Sequence, residues 1–299
     1  MSVFLDACRR KPTSYTPVWI MRQAGRYQPE YRALRERVSF IELCKTPDLA
    51  CEVTVRAVDQ LGVDAGIIFA DILLILEPLQ IGFEFTDDHG PKILNPIRTA
   101  VQVDAIPERI DAAGSLSYVM DAIRATRPEL DVPLIGFAGA PFTLASYAIE
   151  GGGSKNYFET KKLMYGDEGL WNSLMARLSN AIADYLIAQI DAGAQAVQLF
   201  DSWVGCLAPE DYRRYVLPHQ QTMLSGITPT GGMPTSNGRR TNVVPVFVSR
   251  NVNVTFQAVS AWFSSVALAL AALALKRSLR PKGTFAPIFT TAGAASAHR

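Results

Sequence analysis

The chain has 299 residues, of which 48% are hydrophobic and 19% are charged, and its formal net charge at pH 7 is +1. This length permits one large domain or two small ones, the apolar content is ample for a buried core, and the near-neutral charge argues against a nucleic-acid partner. The charge is unevenly distributed. Residues 1–230 contain 21 Lys and Arg and all 28 Asp and Glu, whereas residues 231–299 contain 8 basic residues and no acidic one.

The cysteines and the first residues bear on the cellular compartment. Cys8, Cys44, Cys51 and Cys206 form no CxxC pair and have no histidine at ligand spacing. We therefore expect reduced thiols rather than a zinc site or a disulfide framework. The opening segment contains no apolar signal region, which favours a cytoplasmic protein.

Apolar runs and helical stretches alternate along the first 230 residues. We predict strands at residues 18–21, 65–71, 132–139 and 194–200. We predict helical segments within 29–61, 107–127, 157–192 and 211–225, a helix after Pro141, and an inserted hairpin at 81–96. The first helical segment should break at Thr46-Pro47, where Thr46 can cap a new helix. Continuous apolar strands separated by helices indicate a parallel sheet of β/α units that is covered on both faces.

Polar side chains come at the ends of these predicted strands. Arg22 and Arg26 flank small residues where the first strand becomes a loop, and such arginines supply forked donors for carboxylates or phosphates. Asp71, Asp201 and Ser202 follow two later strands. A TIM barrel places its site at these strand ends. An open doubly wound sheet is the alternative, although no GxGxxG segment opens a helix.

Four segments in order along the chain resemble the uroporphyrinogen decarboxylase family. They are PVWIMRQAGRYQPEYR (17–32), GIIFADILLILEPL (66–79), GFAGAPFTLASYAIEGGGSKNY (136–157) and LFDSWVGCLAPEDYRRYVLP (199–218). The resemblance implies a TIM-type (β/α)8 barrel that removes four acetate carboxyl groups from uroporphyrinogen III and yields coproporphyrinogen III in haem biosynthesis. It also implies no metal or organic cofactor, a homodimer, and no nucleic-acid or membrane partner.

The resemblance further implies roles for single residues. Asp71 would accept the pyrrole N–H groups of the substrate and stabilise the cation formed when a ring is protonated. Arg22, Arg26 and Arg35 would bind its carboxylates, and Arg22 or Arg26 would be the proton donor. The expected substrate-binding set is Arg22, Gln23, Ala24, Gly25, Arg26, Arg35, Asp71, Tyr147 and Ser202. Of these, Asp71, Arg22 and Arg26 are the expected catalytic residues.

Three of these residues also have ordinary structural interpretations when each is taken alone. Asp71 and Ser202 could cap a helix or form a turn, and Tyr147 could be a core residue whose hydroxyl is satisfied.

The resemblance ends near residue 230, and with it the predicted barrel. The family's remaining strands and a late Gly-His-Gly segment are not found, so we expect residues 3–230 to form part of a barrel and 231–299 to form an atypical tail. A shifted reading frame would explain the absence of acidic residues in the tail. A genuine alternative end is the other interpretation, in which the uncharged residues 251–275 invite comparison with a membrane span.

Two further hypotheses about function stay open. An incomplete barrel predicts little or no turnover and a truncated or frameshifted, inactive product. A related zinc- and corrinoid-dependent barrel methyltransferase would need His and Cys ligands near the strands, and the sequence contains no HxC pair.

Overall fold

The computed structural model describes residues 2–86, 90–227 and 246–250. Its helices are α1 (Val3–Cys8), α2 (Pro29–Arg35), α3 (Phe40–Lys45), α4 (Pro47–Leu61), α5 (Ala100–Asp104), α6 (Ala112–Ser115), α7 (Ser117–Thr126), α8 (Pro141–Glu150), α9 (Phe158–Gly166), α10 (Glu168–Ala192), α11 (Pro209–Tyr215) and α12 (Leu217–Ile227). Its strands are β1 (Gly66–Ile67), β2 (Phe83–Thr86), β3 (Gly90–Ile93), β4 (Leu134–Gly139), β5 (Ala196–Asp201) and β6 (Val246–Arg250).

Four of the strands form one parallel sheet in the order β1, β4, β5, β6. Every residue of β4 and β5 is buried, as expected of continuous apolar strands covered on both faces. The strands predicted at 132–139 and 194–200 are thus confirmed. The predicted boundary near residue 230 falls within 228–245, outside the described residues, and it stays a prediction.

The strand predicted at residues 18–21 is wrong, and β1 is shorter than its prediction. The backbone carbonyl of Val18 accepts the Asp64 N–H at 2.8 Å, but the Val18 N–H donates to the Asp64 carboxylate at 2.6 Å. A side chain therefore takes the place of the next ladder bond, and pairing does not continue along the segment. The chain still runs beside β1 at this point, where a neighbouring strand would lie.

Of the sequence signals that predicted helix boundaries, some are confirmed and others are wrong. Pro47 opens α4 as predicted, and Gly62 ends it in the left-handed conformation with a φ of 62°. Thr46 lies at the N-cap position, yet its hydroxyl donates back to the Glu42 carbonyl at 2.8 Å and caps nothing. The segment predicted as one helix at 107–127 is divided between α6 and α7, because Asp111 starts a separate turn by accepting the Gly114 N–H.

The inserted hairpin is confirmed by β2 and β3, which pair antiparallel with Phe83 opposite Ile93. Its predicted turn residues, 88 and 89, lie outside the described residues. The hairpin is fixed to the end of α8, since the Ile93 N–H donates to the Gly151 carbonyl at 2.8 Å.

The core places the ends of the parallel strands on one side of the molecule. A single hydrophobic cluster joins the sheet to the surrounding helices, and Trp171 and Tyr185 of α10 are among its largest fully buried side chains. The segments that leave β1, β4 and β5 therefore meet at one edge of the sheet. Within the described ranges, no helix combines the length and the hydropathy that a membrane span requires, and residues 251–275 lie outside those ranges.

Candidate active site

Asp71 lies four residues beyond β1, at the strand-end edge of the sheet. Its Oδ1 accepts the Leu73 N–H at 2.8 Å, which fixes the carboxylate in a tight local turn. Burial raises the pKa of Asp71 to about 6, while the Leu73 hydrogen bond and the charge of Arg22 oppose the rise. The site thus contains a partly dehydrated carboxylate that is mostly ionised at neutral pH.

Of the three candidate arginines, Arg22 is the one whose charge acts on this carboxylate. Arg22 is exposed, and its charge acts on both Asp71 and Tyr147. Arg35 lies with its guanidinium 5.7 Å from the centre of the Phe40 ring and donates to the Val38 carbonyl. Arg26 is exposed, and its backbone carbonyl accepts a bond from the Arg32 side chain at 2.8 Å.

Tyr31 of α2 lies within electrostatic range of Arg35 and Arg26. Burial raises the pKa of Tyr31, and the charges of Arg35 and Arg26 oppose that rise. Tyr31 also packs against Phe69, with 5.8 Å between ring centres, in the segment that leads from β1 to Asp71. Arg26 and Arg35 therefore lie near Tyr31 of α2, which packs on the segment between β1 and Asp71.

Tyr147 of α8 lies within electrostatic range of both Asp71 and Arg22. Its ring stacks on Trp203 with centroids 3.8 Å apart and planes inclined by 29°, and Tyr157 contacts the same tryptophan edge-on at 5.3 Å. Burial raises the pKa of Tyr147 to about 12, and the charges of Asp71 and Tyr157 add to the rise. The Tyr147 hydroxyl therefore stays protonated and able to donate a hydrogen bond at physiological pH.

Ser202 is partly exposed in the turn after β5, between Asp201 and Trp203. A buried network fixes this turn. Asp201 is wholly buried and accepts hydrogen bonds from the Thr143 hydroxyl at 2.9 Å and from the Gln220 amide at 2.7 Å. The Thr143 hydroxyl in turn accepts the Trp203 N–H at 3.2 Å. One network thus connects α8, β5 and α12 directly beneath Ser202 and the Tyr147 stack.

The three residues between Arg22 and Arg26 differ in how deeply they are buried. Gln23 is only 2% exposed and is hydrogen-bonded to the backbone of β1. Ala24 and Gly25 are partly exposed, and the Gly25 N–H donates to the Gln28 side chain at 3.1 Å. The structure therefore brings Arg22, Asp71 and Tyr147 together and places Arg26 and Arg35 near Tyr31, whereas the Gln23 side chain lies inside the protein.

Comparison with known proteins shows to which family the chain belongs. Residues 1–255 match the sequence model of the family described as uroporphyrinogen decarboxylase (URO-D). The chain belongs to the uroporphyrinogen decarboxylase family. The predicted resemblance and the TIM-barrel class of the fold are thereby confirmed. Family members convert their substrate as carboxy-lyases.

Three curated family members illustrate the similarity. The uroporphyrinogen decarboxylase of Carboxydothermus hydrogenoformans is 56% identical over 230 residues, covering 76% of this chain and 65% of the relative. Those of Chloroflexus aurantiacus (strain J-10-fl) and Koribacter versatilis are 55% identical over 225 residues and 50% identical over 235 residues. The matches cover 75% and 78% of this chain, and 63% and 66% of these relatives. The chain thus matches just under two thirds of the length of each of these relatives.

A solved structure supports the fold of this family member independently. A methyltransferase from Methanosarcina mazei superposes with a TM-score of 0.57 over 75% of this chain and 66% of that chain. The two proteins share 20% of their residues in the alignment, so the likeness concerns the fold alone. Among the described residues of the present chain, no three His, Cys, Asp or Glu side chains are grouped as a metal site would require.

The sequence analysis did not identify the buried residues that form hydrogen bonds beneath the site. Thr143 and Gln220 contact Asp201 across separations of 58 and 19 residues, and no local motif marks such contacts. The position of Asp201 at the end of an apolar strand was the available signal. Trp203 adjoins the serine of the fourth matching segment, but its stacking on Tyr147 depends on the packing of α8 against the sheet.

Proposed function

We propose that this chain binds uroporphyrinogen at the strand-end site and removes carboxyl groups from its acetate side chains. The observation that carries the proposal is that Arg22, Asp71 and Tyr147 lie within electrostatic range of one another, near the edge of the sheet where the parallel strands end. The resemblance to the family implies that these three residues bind substrate. The substrate is a cyclic tetrapyrrole with eight carboxylates and four pyrrole N–H groups, which fits cationic groups around a central acceptor.

The charge on Asp71 suits this substrate. The ionised carboxylate has acceptor capacity for several pyrrole N–H donors, and it lies where burial has removed much of its water. A donor group that replaces this water should therefore bind more strongly than it would to an exposed aspartate. Arg22, which is exposed beside Asp71, is available to bind a carboxylate at the rim of the macrocycle.

The proposed reaction proceeds through protonation of a pyrrole carbon. The protonated ring accepts the electron pair of the bond to the carboxylate as CO₂ leaves, and the resulting exocyclic methylene becomes a methyl group when it takes up a proton and the ring carbon releases one. One proton and one carboxylate are thus converted to a C–H bond and CO₂. Asp71 stabilises the cationic ring electrostatically, and Arg22 or Arg26 delivers the proton.

The finer expectations from the resemblance belong to the same proposal. They are a homodimer, a cytoplasmic location and a barrel that remains incomplete, with low turnover as the consequence. The four described parallel strands are half of the eight in a TIM barrel, and residues 231–299 carry the sequence anomaly. Sedimentation at the dimer mass tests the first of these, turnover per folded chain tests the last, and sequencing of the gene across codons 225–235 tests whether the reading frame of the tail is shifted.

The experiment that tests the function is anaerobic incubation of the full chain with uroporphyrinogen, followed by oxidation and separation of porphyrins by carboxyl number. We expect species with seven, six, five and four carboxyl groups to form in succession. Circular dichroism on the same sample establishes that the protein is folded. Recovery of the eight-carboxyl substrate alone from folded protein, together with no binding of uroporphyrin by quenching of tryptophan emission, would overturn the proposal.

A further inference from the structure

Gln23 lies in the arginine loop, which we define as residues 22–28, and its side chain turns inward. Its amide donates to the Ala65 carbonyl at 2.7 Å and accepts the Ile67 N–H at 3.0 Å. At 2% exposure it is among the most buried polar side chains of the described residues. A residue between two exposed arginines thus makes two hydrogen bonds to the sheet.

These two hydrogen bonds satisfy backbone groups on the edge of β1 that faces away from β4. On its other edge β1 faces β4, where the Gly66 N–H donates to the Pro133 carbonyl at 2.9 Å and the Ile68 N–H donates to the Ile135 carbonyl at 3.0 Å. Backbone groups of a strand alternate between its two edges, so Ala65 and Ile67 point away from β4. The Gln23 amide has one donor and one acceptor at the spacing of a peptide group, and it substitutes for a strand at this edge.

Further bonds stiffen the loop around this anchor. The Tyr27 hydroxyl donates to the Gln23 carbonyl. The Gln28 side chain is 4% exposed, accepts the Gly25 N–H at 3.1 Å and donates to Gln60 of α4 at 2.8 Å. The loop is therefore held from three directions, while Arg22 and Arg26 are left facing outward.

We propose that Gln23 is a positioning residue that fixes Arg22 relative to Asp71 by attaching the arginine loop to β1. Arg22 is the neighbour of Gln23 in the chain, and Asp71 follows Ile67 by four residues. The two hydrogen bonds of the Gln23 side chain thus join the two sides of the site with few residues in between. The inference rests on the proposed function, because its consequence is tighter binding of a polycarboxylate.

The test uses Gln23→Glu with Gln189→Glu as the matched control. Gln189 is also fully buried, and its amide accepts the Phe137 N–H and donates to the Phe137 carbonyl, both at 2.8 Å. A protonated glutamic acid keeps one donor and one acceptor, whereas an ionised one has no donor and opposes the carbonyl. Each variant should therefore lose stability as the pH rises.

The expected difference lies in substrate binding. Between pH 5.5 and 8 the KM of Gln23→Glu should rise about tenfold relative to wild type at the same pH, because the loop detaches as the acid ionises. The KM of Gln189→Glu should follow wild type within about twofold. If both variants follow wild type, or if both change alike, the positioning role is refuted and Gln23 is simply a core residue.

Two further measurements keep the test decisive. Gln23→Asn retains the amide but is one methylene too short to reach both backbone groups, so it serves if the glutamate variant unfolds. Hydrogen exchange of amides 22–28 in the ligand-free protein should accelerate in both Gln23 variants and not in Gln189→Glu. Unchanged exchange would contradict the anchor itself, even if wild type proved unable to bind uroporphyrin and the proposed function had failed.

Discussion

Asp71→Asn should make the protein more stable at neutral pH while it removes the proposed catalytic charge. The asparagine Oδ1 retains an acceptor for the Leu73 N–H, which lies 2.8 Å from the present carboxylate oxygen. The change therefore deletes a charge with almost no change of shape. Groups held in an unfavourable environment for function commonly show this opposition between stability and activity.

The magnitude follows from the pKa of Asp71. Burial raises it from 3.8 to about 6, so the folded protein binds this proton more tightly than the unfolded chain does. Stability must then fall as the pH rises from about 4 to about 6, and the whole penalty is present above that range. A pKa of about 6 in the folded state against 3.8 in the unfolded chain corresponds to about 3 kcal/mol at pH 7.5.

Urea unfolding of wild type and Asp71→Asn at several pH values measures this effect. The variant should be more stable by up to about 3 kcal/mol at pH 7.5, and the difference should shrink by about 1 kcal/mol between pH 7 and pH 5. An asparagine variant that is less stable than wild type at pH 7.5 would refute the reasoning. So would a stability difference that does not depend on pH, because the carboxylate would then titrate alike in both states.

Three further predictions concern the groups around Asp71. Arg22→Lys and Arg26→Lys should each raise KM, most strongly at low salt, because the bidentate fork is lost although the charge remains; unchanged KM values in both would exclude carboxylate binding by these arginines. Thr143→Val should cost about 1–3 kcal/mol in urea unfolding, shift the emission of Trp203, whose backbone N–H loses its acceptor, and raise KM because Trp203 stacks on Tyr147. Thr126→Val, which removes a buried hydroxyl bonded to its own helix, should lose stability without a change in KM; equal KM changes in both threonine variants would contradict the role of the network. The kcat/KM of the wild type should fall below about pH 6 as Asp71 is protonated, and a flat profile down to pH 5 would show that its ionised form is not required.

The strands at the centre of the sheet were predictable because their residues carry the signal themselves. β4 consists of apolar residues and glycine, β5 is apolar except for Gln198 and Asp201, and the structure buries every residue of both strands. The segment at 18–21 has a similar composition, yet a carboxylate from Asp64 takes its N–H and ends the ladder. That outcome depends on a contact across 46 residues, which composition cannot reveal.

The sequence predicted the residues that face the site, but it did not predict the buried contacts that hold them in place. Asp71, Arg22 and Tyr147 fall in segments that resemble a family, and the structure brings the three side chains within electrostatic range of one another. Gln23 falls in the same motif as the arginines and was expected to bind substrate, a role that stays a prediction. Its buried amide is explained by the edge of β1 that faces away from β4, a property of the assembled sheet and not of the motif.

The expected low turnover of the 299-residue chain also stays a prediction. It depends on whether the strand-end groups are held in place by residues outside the described ranges, and it is measured by turnover per folded chain against a full-length relative. Values comparable to the relative would contradict it.

The most direct test of the account is a side-by-side product analysis of wild type, Asp71→Asn and Asp121→Asn after anaerobic incubation with uroporphyrinogen. Asp121 is an exposed carboxylate of α7 paired with Arg124, so its variant controls for the loss of one negative charge. We predict seven- to four-carboxyl porphyrins from wild type and Asp121→Asn, and only the eight-carboxyl starting material from a folded Asp71→Asn. Decarboxylation by Asp71→Asn at the wild-type rate would contradict the central role of this carboxylate.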